Sequence, residues 1–182
     1  MTEGMLTLIV GPMFSGKTTE LHRLFERKTR AGVSCLLVKY TKDVRYSTDH
    51  VVSHKDMFGN YRQIPCYNIN YLRELDSLIF TYKPETIFID EIQFFSDKEV
   101  IEEILNKKIN VTASGLNGDW QRKMFAGMAD LFALAYDIKM FQAVCAFCSS
   151  ENACYSKKIT EEAGIGGEEK YRSACHECYS KN

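Results

Sequence analysis

Gly11-Pro12-Met13-Phe14-Ser15-Gly16-Lys17-Thr18 lies between the apolar run Met5–Val10 and a segment whose Leu21, Leu24 and Phe25 recur at i, i+3 and i+4. The octet fits G-x-x-x-x-G-K-[ST], the pattern of a phosphate-binding loop. Its flanks predict the strand–loop–helix setting that such a loop needs. The glycines let the backbone curl until its N–H groups converge on phosphate oxygens, at the positive end of the following helix. Lys17 is then placed to reach the β- and γ-phosphates, and the Thr18 hydroxyl to ligate Mg²⁺. A glycine-rich turn could match by accident, but four fixed positions in this setting make that the poorer reading.

Beyond this octet, short apolar runs alternate with helical patterns. Cys35–Tyr40, Thr86–Asp90 and Ile109–Ser114 read as further strands, with Asp137–Phe141 a candidate for another. Tyr71, Leu75, Leu78 and Tyr82 have helical spacing, ended by Pro84. Ser96 and Glu99 have capping-box spacing before a helix carrying Val100, Ile101, Ile104 and Leu105. The polar stretch Thr41–Asn60 shows no sustained period and reads as a loop or hairpin on the rim. This alternation predicts an α/β fold, P-loop NTPase-like, with a mostly parallel sheet covered by helices. Ligands in such sheets bind at the carboxyl ends of the strands. After Gln142 the chain becomes cysteine-bearing and glycine-rich. The expected division is a phosphotransferase domain over 1–141 and a small C-terminal domain over 142–182.

The net charge of −1 provides no bulk field for nucleic acid or an anionic membrane. Met5–Val10 is too short for a signal-peptide core or a membrane span, so a cytoplasmic protein is expected. Hydrophobic residues at 45% and charged residues at 26% suit a globular chain long enough to bury a core without disulfides.

Asp90-Glu91 closes the apolar run Thr86–Ile89. A carboxylate at a strand end is the usual partner of a phosphate loop, holding Mg²⁺ directly or through water. Asp90 suits that task. Glu91, one residue further, can point at an acceptor hydroxyl and take its proton. A merely solvated glutamate, or an ATPase whose Glu91 activates water, remain the alternatives.

Seven cysteines include two C-x-x-C pairs, Cys145/Cys148 and Cys175/Cys178. Each pair can chelate one face of a tetrahedral zinc, and four thiolates close the site, making the metal structural. His176, inside the second pair, is a weaker candidate ligand, and a redox pair lacks thioredoxin-like surroundings. Cys35, Cys66 and Cys154 read as small hydrophobes or bystanders. Phe94, Phe95, Trp120 and Phe125 leave strand ends and could stack on a nucleobase. Phe95 reads better as core, whereas Trp120, in the polar loop Asn117–Lys123, reads as a binding residue.

Together the segments GPMFSGKTTE (Gly11–Glu20), KYTKDVRYS (Lys39–Ser47), IDEIQFF (Ile89–Phe95), GLNGDWQRKMF (Gly115–Phe125), AVCAFC (Ala143–Cys148) and IGGEEKYRSACHEC (Ile165–Cys178) resemble the thymidine kinase family of animals, bacteria and large DNA viruses. The resemblance covers nearly the whole chain, in order. It implies ATP and thymidine as substrates, with Glu91 deprotonating the 5′-hydroxyl. It puts Lys17, Thr18 and Asp90 at the ATP phosphates and Mg²⁺, and Arg45 near the reacting phosphate. Met13, Phe94, Leu116, Trp120 and Phe125 would surround thymine and its sugar. Ile165, Gly166 and Tyr171 would belong to a lasso loop over the base, anchored by the zinc site. The resemblance further implies a homotetramer and inhibition by thymidine triphosphate. Trp120, Asn117, Met124 and Gly164 depart from common residues of the family, which bears on nucleoside preference and not on the reaction. A zinc-ribbon nucleic-acid module is the reading from another class, opposed by the neutral charge and the intact phosphate loop.

Overall fold

The computed structural model describes residues 3–41, 50–52, 63–162 and 164–181. Its centre is a six-stranded sheet in which every pairing is parallel. The strands are β1 (Leu6–Gly11), β2 (Cys35–Tyr40), β5 (Tyr67–Ile69), β6 (Thr86–Asp90), β7 (Asn110–Leu116) and β8 (Asp137–Met140). They lie in the order β5-β2-β6-β7-β1-β8. β3 (His50–Val52) and β4 (Gln63–Pro65) pair antiparallel as a separate two-stranded sheet. Most of the stretch Thr41–Asn60, expected to be a loop or hairpin, lies outside the described residues.

β1, β2 and β6 read as near-continuous apolar runs because both of their faces are buried, and their period of two sorts the side chains. Leu8 and Val10 of β1, Leu36 and Val38 of β2, and Ile87 and Ile89 of β6 face one layer. That layer holds α2 (Leu75–Tyr82), α3 (Val100–Asn106) and α4 (Met128–Leu134), through Leu75, Ile101, Ile104 and Leu131. Ile9, Leu37 and Phe88 face the other side and meet Leu21, Leu24 and Phe25 of α1 (Lys17–Arg30). The Phe25 and Phe88 rings pack edge to face at 5.3 Å. Phe95 is a core residue, 1% exposed.

Two expectations change. β5 carries no sustained apolar run, and a three-residue edge strand leaves little pattern to read. The spacing of Ser96 and Glu99 does not produce a capping box. α3 begins at Val100, Glu99 is already helical, and no side chain caps that end. The local polar group serves another element instead. Buried Asp97 accepts the backbone N–H groups of Leu72 and Arg73, each at 3.0 Å, at the start of the turn leading into α2. Burial pushes the Asp97 carboxyl up, but those hydrogen bonds outweigh it and hold it below the ordinary carboxylate range.

Beyond the sheet, β9 (Tyr155–Lys158) and β10 (Tyr171–Ala174) form an antiparallel ribbon followed by α5 (His176–Ser180). Ala143, Cys145, Ala153 and Cys175 make a separate small core there. Cys35 and Cys66 pack against the α1 layer as small apolar groups.

Candidate active site

β1 and β7 run side by side with Gly11 opposite Leu116, so the phosphate loop and the Leu116 segment leave the sheet at the same level. Asn117 N–H donates to Gly11 O at 3.3 Å and extends the pairing. Gly16, at φ 83°, caps α1, whose first residue is Lys17. Within the loop, Ser15 Oγ donates to Pro12 O at 2.8 Å, and the buried Lys17 Nζ donates to the same oxygen at 2.6 Å. Phe14 turns through a positive φ of 64°. The positive end of a long helix, an ammonium group and a curled backbone therefore converge on one spot.

β6 delivers the carboxylates. Asp90, 6% exposed, receives the Thr18 hydroxyl at 3.4 Å to both of its oxygens, and also the Ser114 hydroxyl of β7. Hydroxyl and carboxylate oxygens are the hard donors that Mg²⁺ prefers, so Thr18 and Asp90 fit the ion that accompanies ATP. Glu91 follows at the corner where the strand stops, with φ 56° and ψ 45°. A glutamate in this left-handed region is uncommon, and such residues cluster where the chain must aim a side chain. Its carboxylate accepts a hydrogen bond from Gln93 Nε2. Arg45 lies outside the described residues.

Next to the phosphate loop is a cavity of about 300 Å³. Met13, Phe94, Leu116, Trp120, Phe125, Ile165, Gly166 and Tyr171 all line it, together with Gly118, Asp119, Ser156 and Gly164. It is brought together from the phosphate loop, the turn after β6, the loop after β7 and the segment between β9 and β10. The lining is mostly apolar, and the volume lies at the small end of ligand pockets. Phe94 and Phe125 meet edge to face at 6.3 Å. Trp120 is 38% exposed, with Lys158 Nζ 5.0 Å from its ring centroid. The covering segment folds on itself: Tyr171 OH donates to Gly164 O at 2.7 Å, and Tyr171 N–H to Gly167 O at 3.0 Å.

The two C-x-x-C pairs come together at the base of that segment. The four Sγ atoms of Cys145, Cys148, Cys175 and Cys178 lie within 4.8 Å of one another, and Cys148 and Cys175 are 3.7 Å apart. A tetrahedron with metal–sulfur bonds of about 2.3 Å has edges of about 3.8 Å, so the cluster can hold a metal ion such as zinc. Burial pushes the Cys145 thiol up, but backbone N–H groups of Cys175, Phe147 and Cys148 outweigh it and hold it at about 6. Such a thiol is readily a thiolate ligand. The four cysteines form the group by themselves, while exposed His176 packs its ring 6.2 Å from Tyr155.

Gln93, Ser156 and Ser114 are site residues that the sequence patterns did not single out. The only signal for Gln93 is a polar residue inside the apolar run Ile92–Phe95. Among the described residues no helix is long and apolar enough to cross a membrane.

Residues 4–179 match a family model described as thymidine kinase. The chain is 39% identical to thymidine kinase 1 of Dictyostelium discoideum, over 98% of this chain and 79% of the relative. It is 34% identical to a thymidine kinase of Mesomycoplasma hyopneumoniae, over 98% and 96%. It is 39% identical to the cytosolic thymidine kinase of Gallus gallus, over 97% and 77%.

Proposed function

We infer the division of labour in this site from one premise: the chain belongs to the thymidine kinase family. It transfers the γ-phosphoryl group of ATP to the 5′-hydroxyl of thymidine, giving thymidine monophosphate and ADP.

In our reading Gly11–Thr18 cradle the ATP phosphates with backbone N–H groups, and Lys17 neutralises charge on the transferring group. Thr18 and Asp90 would hold Mg²⁺, which when bound offsets the negative charge of the phosphates. Arg45 is assigned near the same phosphate on family resemblance. Glu91 takes the proton of the 5′-hydroxyl as its oxygen bonds to phosphorus and the bond to ADP breaks. A positioned base contributes roughly 10²–10⁴-fold. The cavity holds the nucleoside, with the base among Trp120, Phe125 and Phe94 and under the covering segment Ile165–Tyr171.

The observation that carries this reading is the convergence of eight sequence-scattered nucleoside candidates on one cavity beside the phosphate loop. We further propose zinc as the ion of the cysteine cluster, with a structural role. The change in composition after Gln142 supports a division at 141/142. We also propose a cytoplasmic protein and, from the family, a homotetramer with inhibition by thymidine triphosphate in the acceptor site. A panel of nucleosides with γ-labelled ATP, scored for 5′-monophosphate, tests the core reading. Thymidine-dependent label transfer supports it. ATP turnover indifferent to added nucleoside would replace it with an ATPase.

A further inference from the structure

Gln93 is 4% exposed, yet both ends of its carboxamide are used. Nε2 donates to Glu91 Oε2, and Oε1 accepts the backbone N–H of Leu116 at 3.1 Å. The two partners fix the orientation of the amide. A carboxylate can only accept and a backbone N–H can only donate, so a flipped Gln93 would lose both bonds. The backbone is held as well, because buried Lys98 Nζ donates to Gln93 O at 3.1 Å and to Phe95 O. Space is reserved for the side chain: a Cβ built on Gly115 would come within 2.8 Å of Gln93 Oε1 and 2.7 Å of an Ile92 methyl.

Among the described residues, this bridge links the Glu91 carboxylate to the cavity wall. Leu116 lines the cavity, Glu91 follows the end of β6 and is not among the lining residues, and neither is fixed to the other by sequence. We propose that Gln93 is a positioning residue of the transfer reaction, tethering the Glu91 carboxylate to the Leu116 wall against which the sugar rests. This rests on the reading of Glu91 as the base. A hydrogen bond to a carboxylate oxygen restrains the rotation and position of the group, and a misplacement of about 1 Å in such a group can lower the rate roughly 10²-fold.

The test is a double-mutant cycle on the full-length protein. Gln93→Met keeps volume and loses both bonds, whereas Gln93→Asn keeps a neutral carboxamide but is one methylene too short to reach both Glu91 and Leu116. Both should lower kcat by roughly 10- to 10²-fold, with thymidine dissociation constants changed less than about threefold, a difference that is small on the binding scale. In a Glu91→Gln background the same changes should lower kcat no further, because groups acting as a unit are not additive. Additive losses, or Gln93 variants with normal kcat beside an inactive Glu91→Gln, would overturn the positioning role alone. A fully active Glu91→Gln would overturn the base assignment itself. Where Gln93→Met fails to fold, Gln93→Asn carries the test.

Discussion

The backbone N–H of Met13 donates to the buried hydroxyl of Ser156 at 3.0 Å, across 143 residues of chain. Met13 belongs to the phosphate loop and Ser156 to β9, the ribbon that leads into the covering segment. Both residues line the cavity. One hydrogen bond therefore joins the phosphate loop to the stem of the segment Ile165–Tyr171, the two elements proposed to hold the donor phosphates and to cover the acceptor.

Ser156→Ala should leave the Met13 N–H without its acceptor in a buried place, at about 1–3 kcal/mol of stability. It should also raise KM for both ATP and thymidine, since the bond serves both sides. A melting temperature and both KM values equal to those of the parent would remove this coupling.

Glu91→Gln should keep nucleotide and nucleoside binding and lose at least about 10²-fold in kcat, the usual scale for removing a general base. Lys17→Ala should instead impair use of ATP, because the ammonium group stabilises charge on the transferring phosphate. Single-turnover rates with saturating substrates separate the two. Phosphorylation by Glu91→Gln near the parent rate would sink the assignment.

Purified protein should contain about one zinc per chain, as four thiolates complete one tetrahedral site. Metal binding and local folding are coupled, so Cys175→Ser should lose metal, loosen the covering segment Ile165–Tyr171 and weaken thymidine binding. Elemental analysis beside a binding isotherm checks both halves. Full affinity in metal-free protein would show that the cluster does not support the lid.

Trp120 is the single tryptophan, and its loop is tied to α5 by a 2.6 Å bond from Tyr179 OH to Trp120 O. Its emission should change on adding thymidine and change less with ATP alone. Trp120→Ala should weaken thymidine binding by roughly 1–3 kcal/mol, the range for aromatic–base stacking, and Trp120→Phe by much less. Unchanged emission together with unaltered affinity of the alanine variant would move the stacking role to Phe94, Phe125 and Tyr171.

Glu20 of α1 accepts hydrogen bonds from Arg23 at 2.6 Å and from Lys139 of β8 at 3.0 Å. The Arg23 hydrogen bond leads, burial opposes it, and with Lys139 the carboxyl is held down to about 2. A folded value below the ordinary 4.5 means that this stabilisation is complete above 4.5 and fades as pH falls toward 2. The melting temperature of Glu20→Gln should therefore lie below that of the parent at neutral pH, with the gap closing in acid. A gap that stays constant across that window excludes Glu20 from the acid response.

The sheet and the phosphate loop were legible because their signals are local. Strands buried on both faces, such as β1 and β6, appear as unbroken apolar runs, and the loop is specified by eight consecutive residues. The cysteine pairs were legible because chelation fixes their spacing. What escaped depends on distant partners. Ser96 and Glu99 had the right spacing for a cap, but Asp97 beside them caps a turn 24 and 25 residues earlier in the chain. Ser156 and Gln93 are ordinary polar residues until the fold brings Met13 and Leu116 to them. No periodicity encodes such meetings.

The register that sets Gly11 opposite Leu116 makes the sheet a ruler. Neighbouring strands stand about 4.8 Å apart, a spacing imposed by backbone hydrogen bonds and indifferent to side chains. The lateral offset between the phosphate loop and the cavity wall is therefore inherited from the peptide ladder. Substitutions in the loop after Leu116, at Gly118, Asp119 or Trp120, which line the cavity, can reshape what it accepts without altering that offset. On the proposed assignment of loop and cavity, diversification of the acceptor is thereby uncoupled from alignment of the donor.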